Sequence, residues 1–252
     1  MTFDPYSNDE NYFRWLVESS YGDFIQIASH HIDSQLFQPL QCLKMQYYVS
    51  MAQLIDKYFL PAQGKSCLDC GCGLGRLSFH AATRELLVTG IDSSAKFVEF
   101  CISLLEASNN IDIEIPEVGH TARKAKLYIP DSYKTAKASF FVGDISNLQF
   151  MDKTFSYIVS SNVVDRVEDP FWAVQEMHRV LQPGGRALVS SPLDWRTIHT
   201  PNEQKWVNHL TNLFPLSDWK LLEVAPAIEY SLRISDRLIE YYICDVLVAE
   251  KI

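Results

Sequence analysis

Lys65–Ala82 reads KSCLDCGCGLGRLSFHAA, and the reading of its middle decides the fold. Three cysteines and three glycines fall within the nine residues Cys67–Gly75. Metal binding is one reading, since thiolates at Cys67, Cys70 and Cys72 suit zinc or an iron–sulfur cluster. Strand alternation argues against it, sending Cys67 and Asp69 to one face and Leu68 and Cys70 to the other. No second Cys/His cluster lies nearby in sequence to complete a ligand set. We therefore expect no metal, with the cysteines filling tight space as small apolar groups. A dinucleotide fingerprint, G-x-G-x-x-G after a strand, is a second reading. Gly71 and Gly73 fit it, but Arg76 holds the third place and Gly75 comes too early. The third reading takes the pattern as it stands, apolar–Asp–x–Gly–x–Gly–x–Gly from Leu68 to Gly75.

Outward from this turn, short β-type runs alternate with helical ones: SCLDC then GRLSFHAATR, LLVTGID then SSAKFVEFCISLLEAS, ASFFVGD, FSYIVSSNV then DPFWAVQEMHRVL, and GRALVSSP. Alternation of this kind predicts right-handed βαβ units and an α/β, doubly wound, mostly parallel sheet. The last two strand candidates, WKLLEVAPAIEYSL and IEYYICDVLVAEKI, have no useful helix between them and predict an antiparallel hairpin at the sheet edge. Before residue 60, NYFRWLVESSYGDFIQIA and LQCLKMQYYVSMAQLIDKYF place apolar residues at helical spacings. We expect one domain over 1–252, with a helical cap or lid at 1–62 and a core at 63–252. Residues 109–137 stand where a short loop should be, and so long an insertion is often functional.

The third reading resembles motif I of the class I S-adenosylmethionine-dependent methyltransferases, a Rossmann-like family, and further matches extend it. VTGIDSS ends its strand at Asp92, FFVGDISNL ends at Asp144, and LQPGG (Leu181–Gly185) resembles the family's helix-to-strand turn. The resemblance covers about Lys65–Pro192. It implies S-adenosylmethionine as cofactor, with Cys70, Gly71, Cys72, Gly73 and Gly75 forming the turn over its methionyl part. Asp69 would lie near the ammonium, Asp92 and Ser93 at the ribose, and Asp144 and Ile145 at the adenine, with Asn162 beside them. A carboxylate at the second strand end can accept both ribose hydroxyls.

The stretches SNVVDRVEDP and SSPLDWRTIHTP are also similar to the methyltransferases that act on mercaptohistidine in ovothiol biosynthesis, which carry an insertion before the third strand. That family's acidic–glycine insertion stretch corresponds loosely to PEVGH, with His120 in place of an acid. This implies methyl transfer, by in-line displacement with S-adenosylhomocysteine as product, to a nitrogen (imidazole among the options) or a sulfur of a small amino-acid-like metabolite. Candidate acceptor contacts lie after the fourth and fifth strands. Asn162 can bond an imidazole or amine, or else cap the next helix. Asp165 can neutralise a cation or take a proton, Arg166 can hold a carboxylate, and His199 can act as base. Trp195 can wall the pocket. His30, His31 and the aromatic residues Tyr12, Trp15, Tyr21 and Phe24 lie in the cap, where a cation can meet aromatic faces.

The net charge is −9. Such a field repels nucleic-acid phosphates and anionic lipid. Arg123, Lys124, Lys126, Lys134 and Lys137, interleaved with Tyr128 and Tyr133, resemble a nucleic-acid strip, but we read them as a solvated loop or a flap over the acceptor pocket. MTFDPYSNDE does not read as a signal peptide, and no apolar run is long enough to span a bilayer. The expectation is a cytoplasmic enzyme with reduced thiols, a small-molecule acceptor, and no nucleic-acid or membrane partner; its oligomeric state is left open. A cofactor-binding regulatory subunit without catalysis, or a nucleic-acid methyltransferase, are the rival readings.

Overall fold

The structure is a computed structural model describing residues 10–21, 25–27, 46–60, 65–107, 110–117, 121–235 and 237–252. Phe24, His30, His31 and His120 lie outside the described residues. A seven-stranded sheet is built from β2 (Ser66–Cys70), β3 (Leu87–Asp92), β6 (Ala138–Val142), β7 (Phe155–Ser161), β8 (Leu181–Ser191), β9 (Trp219–Ser235) and β10 (Leu238–Lys251). Its order is β6-β3-β2-β7-β8-β10-β9. The strands from β6 to β8 pair in parallel, and β10 pairs antiparallel with both β8 and β9. The expected edge hairpin is therefore present, and the fold is the mostly parallel, Rossmann-like one. The chain runs from β2 outward through β3 to β6, then returns to β7 on the other side of β2. Ligands collect outside the carboxyl ends of the strands at such a switch point.

Strand alternation separates two cores. Cys67 joins the cluster under α2 (Gln46–Tyr58) and α3 (Arg76–Thr83), whereas Leu68 and Cys70 join the one under α6 (Pro170–Val180). Tyr47, Met51, Leu54 and Ile55 recur at helical spacing and bury one face of α2. Helix α6 starts where Asp169 accepts from the amides of Phe171 and Trp172, with Pro170 in its first turn. It stops before LQPGG, where Gly184 takes φ +72°. That conformation is strained for residues with a Cβ. A third cluster joins α4 (Ala95–Glu106) to α1 (Glu10–Tyr21) through Phe97, Phe100, Val17 and Tyr21.

Two expectations are corrected. Ile25–Ile27, read as helical, is a strand, β1. The insertion is not a solvated loop: β4 (Asn110–Pro116) and β5 (Ala122–Tyr128) form an antiparallel hairpin, β1 adds to β5, and α5 (Asp131–Lys134) follows. Asp112 stands opposite Lys126 and Glu114 opposite Lys124, and Lys126 Nζ bonds Asp112 at 2.8 Å. Arg123 pairs with Glu117 and Lys134 with Asp131. The basic strand thus faces an acidic one, which is how opposite charges stabilise a strand pair. The hairpin packs on α1, where Arg14 pairs with Glu114, and its described residues do not line the cavity below, so they are no flap over it.

The cap is fastened by a buried ion pair. Arg233 on β9 grips both oxygens of Glu18 on α1, with contacts from 2.6 Å, and also bonds the Pro116 carbonyl at 2.8 Å. One guanidinium therefore joins the cap, the edge strand and the inserted hairpin. No helix among the described residues is long and apolar enough to cross a membrane.

Candidate functional site

A cavity of about 1010 Å³ opens at the strand ends where the chain changes direction. Its lining includes Asp69, Gly71, Cys72, Gly73, Asp92, Ser93, Asp144 and Ile145, which brings most of the motif residues together. Gly71, Gly73 and Gly75 have φ of +74°, +52° and +80°, yet their surroundings differ. A Cβ on Gly71 would meet Val163 Cγ2 at 2.3 Å, and one on Gly75 would meet Cys101 Sγ at 2.9 Å. A Cβ on Gly73 would meet nothing within 4 Å. Gly73 alone of the three presents an open face to a ligand. Gly75 instead precedes α3 and packs its start; neither it nor the fully buried Cys70 lines the cavity. Those two cofactor assignments are corrected: the spacing places Cys70 on the α6 side of the sheet and Gly75 beneath the turn.

Asp92 organises the turn. Its Oδ2 accepts from the Gly73 amide at 2.9 Å and its Oδ1 from the Ser94 amide at 2.9 Å. Each carboxylate oxygen has two lone pairs and can accept more than one bond. Asp144 Oδ1 holds the Ser146 amide at 2.8 Å, fixing its loop beside the buried Ile145. Asp69 is buried and accepts from Ser78 Oγ at 2.6 Å. Burial, reinforced by the charge of Asp92 and opposed by the Ser78 hydrogen bond, raises its pKa to about 7. A nearby cation would favour the ionised form of a carboxyl raised in this way.

The acceptor candidates fare unevenly. Asn162 lines the cavity with φ +58°, but its Oδ1 accepts from Ser190 Oγ at 3.2 Å and its amide also bonds the buried Cys244. Its side chain is thus engaged by Ser190 and Cys244 at the cavity wall. Asp169, not Asn162, caps the helix that follows. Asp165 is wholly buried in a short turn (Val164–Arg166), bonds the Asp194 amide at 3.0 Å and does not line the cavity. Arg166 does line it, with its fork on the carbonyl and carboxylate of Asp194 at 2.8 and 2.9 Å, so the carboxylate it holds is the protein's own. His199 lines the cavity, and burial, then Arg166 and Arg196, push its pKa below the usual value. Trp195 is directed away, its indole N–H on the Val207 carbonyl. Tyr21 is a core residue whose hydroxyl bonds the Leu74 carbonyl at 2.6 Å. Among the described residues, no three His, Cys, Asp or Glu side chains converge as a metal site requires. The described cysteines, Cys67, Cys70, Cys72, Cys101 and Cys244, are buried and unbridged.

Of the remaining walls, Tyr12 and Trp15 were expected to offer aromatic faces from the cap, and the others were missed by sequence reasoning. Tyr12, Trp15, Leu16 and Ser20 come from α1, Tyr48 from α2, and Tyr230, Leu232, Glu240 and Tyr242 from the β9–β10 hairpin. Tyr230 stands opposite Tyr242, and Leu232 opposite Glu240. Opposed residues and their i+2 neighbours share a face, so the four form one patch turned to the cavity. Period-2 alternation in stretches such as AIEYSL indicates the strand, but not which face would meet a ligand.

Residues 68–189 match the family described as "Methyltransferase domain". That stretch, just under half of the chain, is similar to the methyltransferase family. Among similar proteins, phosphoethanolamine N-methyltransferase 1 of Triticum aestivum is 27% identical over 60% of this chain and 25% of its own length. The 2-phytyl-1,4-naphtoquinone methyltransferase of Nostoc sp. is 28% identical over 57% of this chain and 51% of its own. This chain therefore spans about a quarter and about half of the length of these two curated relatives. A SAM-dependent methyltransferase structure from Methanosarcina mazei superposes with TM-score 0.55 and 20% identity, covering 79% of this chain and 97% of that one, and shares the fold. The cofactor of the domain is S-adenosylmethionine, and the site fits it. The open face over Gly73 admits close approach, Asp69 offers a carboxylate for an ammonium, and Asp92 offers one for hydroxyls.

Proposed function

We propose that this chain transfers a methyl group from S-adenosylmethionine to a nitrogen, imidazole included, or a sulfur of a small amino-acid-like metabolite. The observation that carries the reading is that Asp69, Gly73, Asp92 and Asp144 line the same cavity as His199 and the cap residues. The bound cofactor supplies a methyl carbon activated by its sulfonium. Everything else falls to the chain's own residues. Gly71, Cys72 and Gly73 hold the methionyl part, Asp69 the ammonium, Asp92 with Ser93 the ribose, and Asp144 with Ile145 the adenine. The cap and the β9–β10 hairpin keep water from the reacting atoms and set the approach of the acceptor, which is where most of the rate gain lies. His199, whose pKa burial and then Arg166 and Arg196 lower, takes a proton that obstructs the nucleophile.

The test is transfer of labelled methyl from S-adenosylmethionine into a panel of imidazoles, amines and thiols. A labelled product with stoichiometric S-adenosylhomocysteine is expected. Binding of S-adenosylhomocysteine without turnover on any acceptor would favour a regulatory subunit instead. Retention on RNA or DNA that weakens with salt would favour the nucleic-acid reading.

A further inference from the structure

Part of the cavity wall has a composition of its own. Tyr12 and Trp15 approach edge to face with ring centroids 6.3 Å apart. Tyr230 and Tyr242 are 6.0 Å apart across the hairpin, and Tyr48 completes the aromatic lining from α2. All of these rings line the cavity and none is fully buried, so they are not simply a core stripe. Within the patch stands one carboxylate, Glu240, whose Oε2 accepts from the Tyr242 hydroxyl at 2.7 Å. Among the described residues no lysine or arginine pairs with Glu240. Aromatic faces carry negative potential and attract a cation within about 6 Å of the ring centre; a carboxylate adds to that pull. A flat apolar acceptor would use the rings but would gain nothing from Glu240.

We propose that the wall formed by Tyr12, Trp15, Tyr48, Tyr230, Tyr242 and Glu240 is a subsite for an alkylated ammonium group, so that the acceptor is an amine whose methylated form is cationic. This rests on the methyl-transfer reading and narrows it to nitrogen. The amine lone pair forms the new N–C bond, the electron pair of the old S–C bond stays on sulfur, and any N–H proton leaves to His199 or water. Nitrogen becomes positive as the bond forms. The wall therefore binds the transition state more tightly than the neutral amine, which is the condition for catalysis rather than mere affinity. The wall also runs between two landmarks. Burial raises the Tyr48 pKa, with the charges of Arg76 and then Asp69 acting on it, while burial and Glu240, followed by Asp194 and Arg196, act on Tyr242.

The probe is choline, set against its uncharged isostere 3,3-dimethyl-1-butanol, each titrated calorimetrically into protein saturated with S-adenosylhomocysteine and into the free protein. We expect choline to bind roughly tenfold or more tightly than the isostere. Tyr242→Leu and Glu240→Gln should each weaken choline about fivefold or more while leaving S-adenosylhomocysteine affinity unchanged. Tyr242→Phe, which keeps the ring, should stay within about threefold of the parent. Equal binding of choline and the isostere, no saturable choline binding, or choline binding untouched by Tyr242→Leu and Glu240→Gln would overturn the subsite. Failure of S-adenosylhomocysteine to bind would instead strike the methyl-transfer reading, and the choline titration of the free protein would still decide the subsite.

Discussion

The Asp92 carboxylate, at the end of β3, accepts the Gly73 amide at 2.9 Å, so the tip of one strand sets the shape of the turn that follows its neighbour. The same group braces the start of α4 through Ser94 and faces the cavity. Its replacement should therefore weaken both the fold and the cofactor site. Asp92→Ala removes charge-assisted hydrogen bonds, each worth about 1.5–3 kcal/mol. We expect affinity for S-adenosylhomocysteine to drop tenfold or more by calorimetry, with a lower melting temperature. Unchanged affinity would remove Asp92 from the ribose.

Gly71 and Gly73 should separate folding from binding. Both have positive φ, but alanine at Gly71 would drive its Cβ to 2.3 Å from Val163 Cγ2, whereas alanine at Gly73 would enter open space. The left-handed conformation alone costs about 1–2 kcal/mol for alanine. Gly71→Ala should lose that plus the clash and unfold several degrees earlier than Gly73→Ala. Gly73→Ala should retain a stable fold and lose most cofactor affinity, because the added methyl occupies the face a ligand would use. Equal melting temperatures for the two variants would contradict the geometry.

Asp69 should make both stability and binding depend on pH, in opposite directions. Its folded-state pKa, raised to about 7, lies well above the ordinary carboxylate value of about 3.8. The folded state thus binds the proton more tightly than the unfolded state. Its favourable contribution is full below about pH 4 and is lost as pH rises through about 7. Asp69→Asn should accordingly stabilise the ligand-free protein relative to the parent at pH 8, and the advantage should shrink towards pH 5. A ligand ammonium favours the ionised form, so cofactor binding should strengthen from pH 6 to pH 8 and release a proton near neutrality. Calorimetry in two buffers of different ionisation enthalpy measures that proton; its absence would mean Asp69 is already charged.

How far the sequence carried is visible in these residues. The carboxylates at the tips of β2, β3 and β6 were legible because each lies within a few residues of the turn that defines it. Asp165 and Arg166 were misplaced because a short turn, set by packing, sends the acid inward and spends the base on Asp194. The inserted hairpin carried a readable signal, Ile111, Ile113 and Ile115 alternating with polar residues, which its charge obscured. Tyr230, Glu240 and Tyr242 carried none. Their convergence depends on the β9–β10 register and on where a cap fixed by Glu18 comes to rest, both set by contacts between distant parts of the chain.

That cap supplies the last prediction. Glu18 and Arg233 are buried together and join α1 to β9, while Ser19 Oγ adds a bond to the Ser231 carbonyl at 3.1 Å. Removing one partner of a buried pair leaves an uncompensated charge and is destabilising by about 3–5 kcal/mol. Arg233→Met should therefore destabilise strongly, since it strands the Glu18 carboxylate. Adding Glu18→Gln should restore part of the loss, because the stranded charge is gone even though the bond is not replaced. Denaturant titration of the parent, both single variants and the double variant gives that coupling. Limited proteolysis at α1 should track it, with faster cleavage in Arg233→Met than in the parent. Helix α1 holds Tyr12 and Trp15 at the cavity, so a loosened cap should also weaken choline binding more than S-adenosylhomocysteine binding. Additive losses in the double variant would show that the two residues do not act as one fastening.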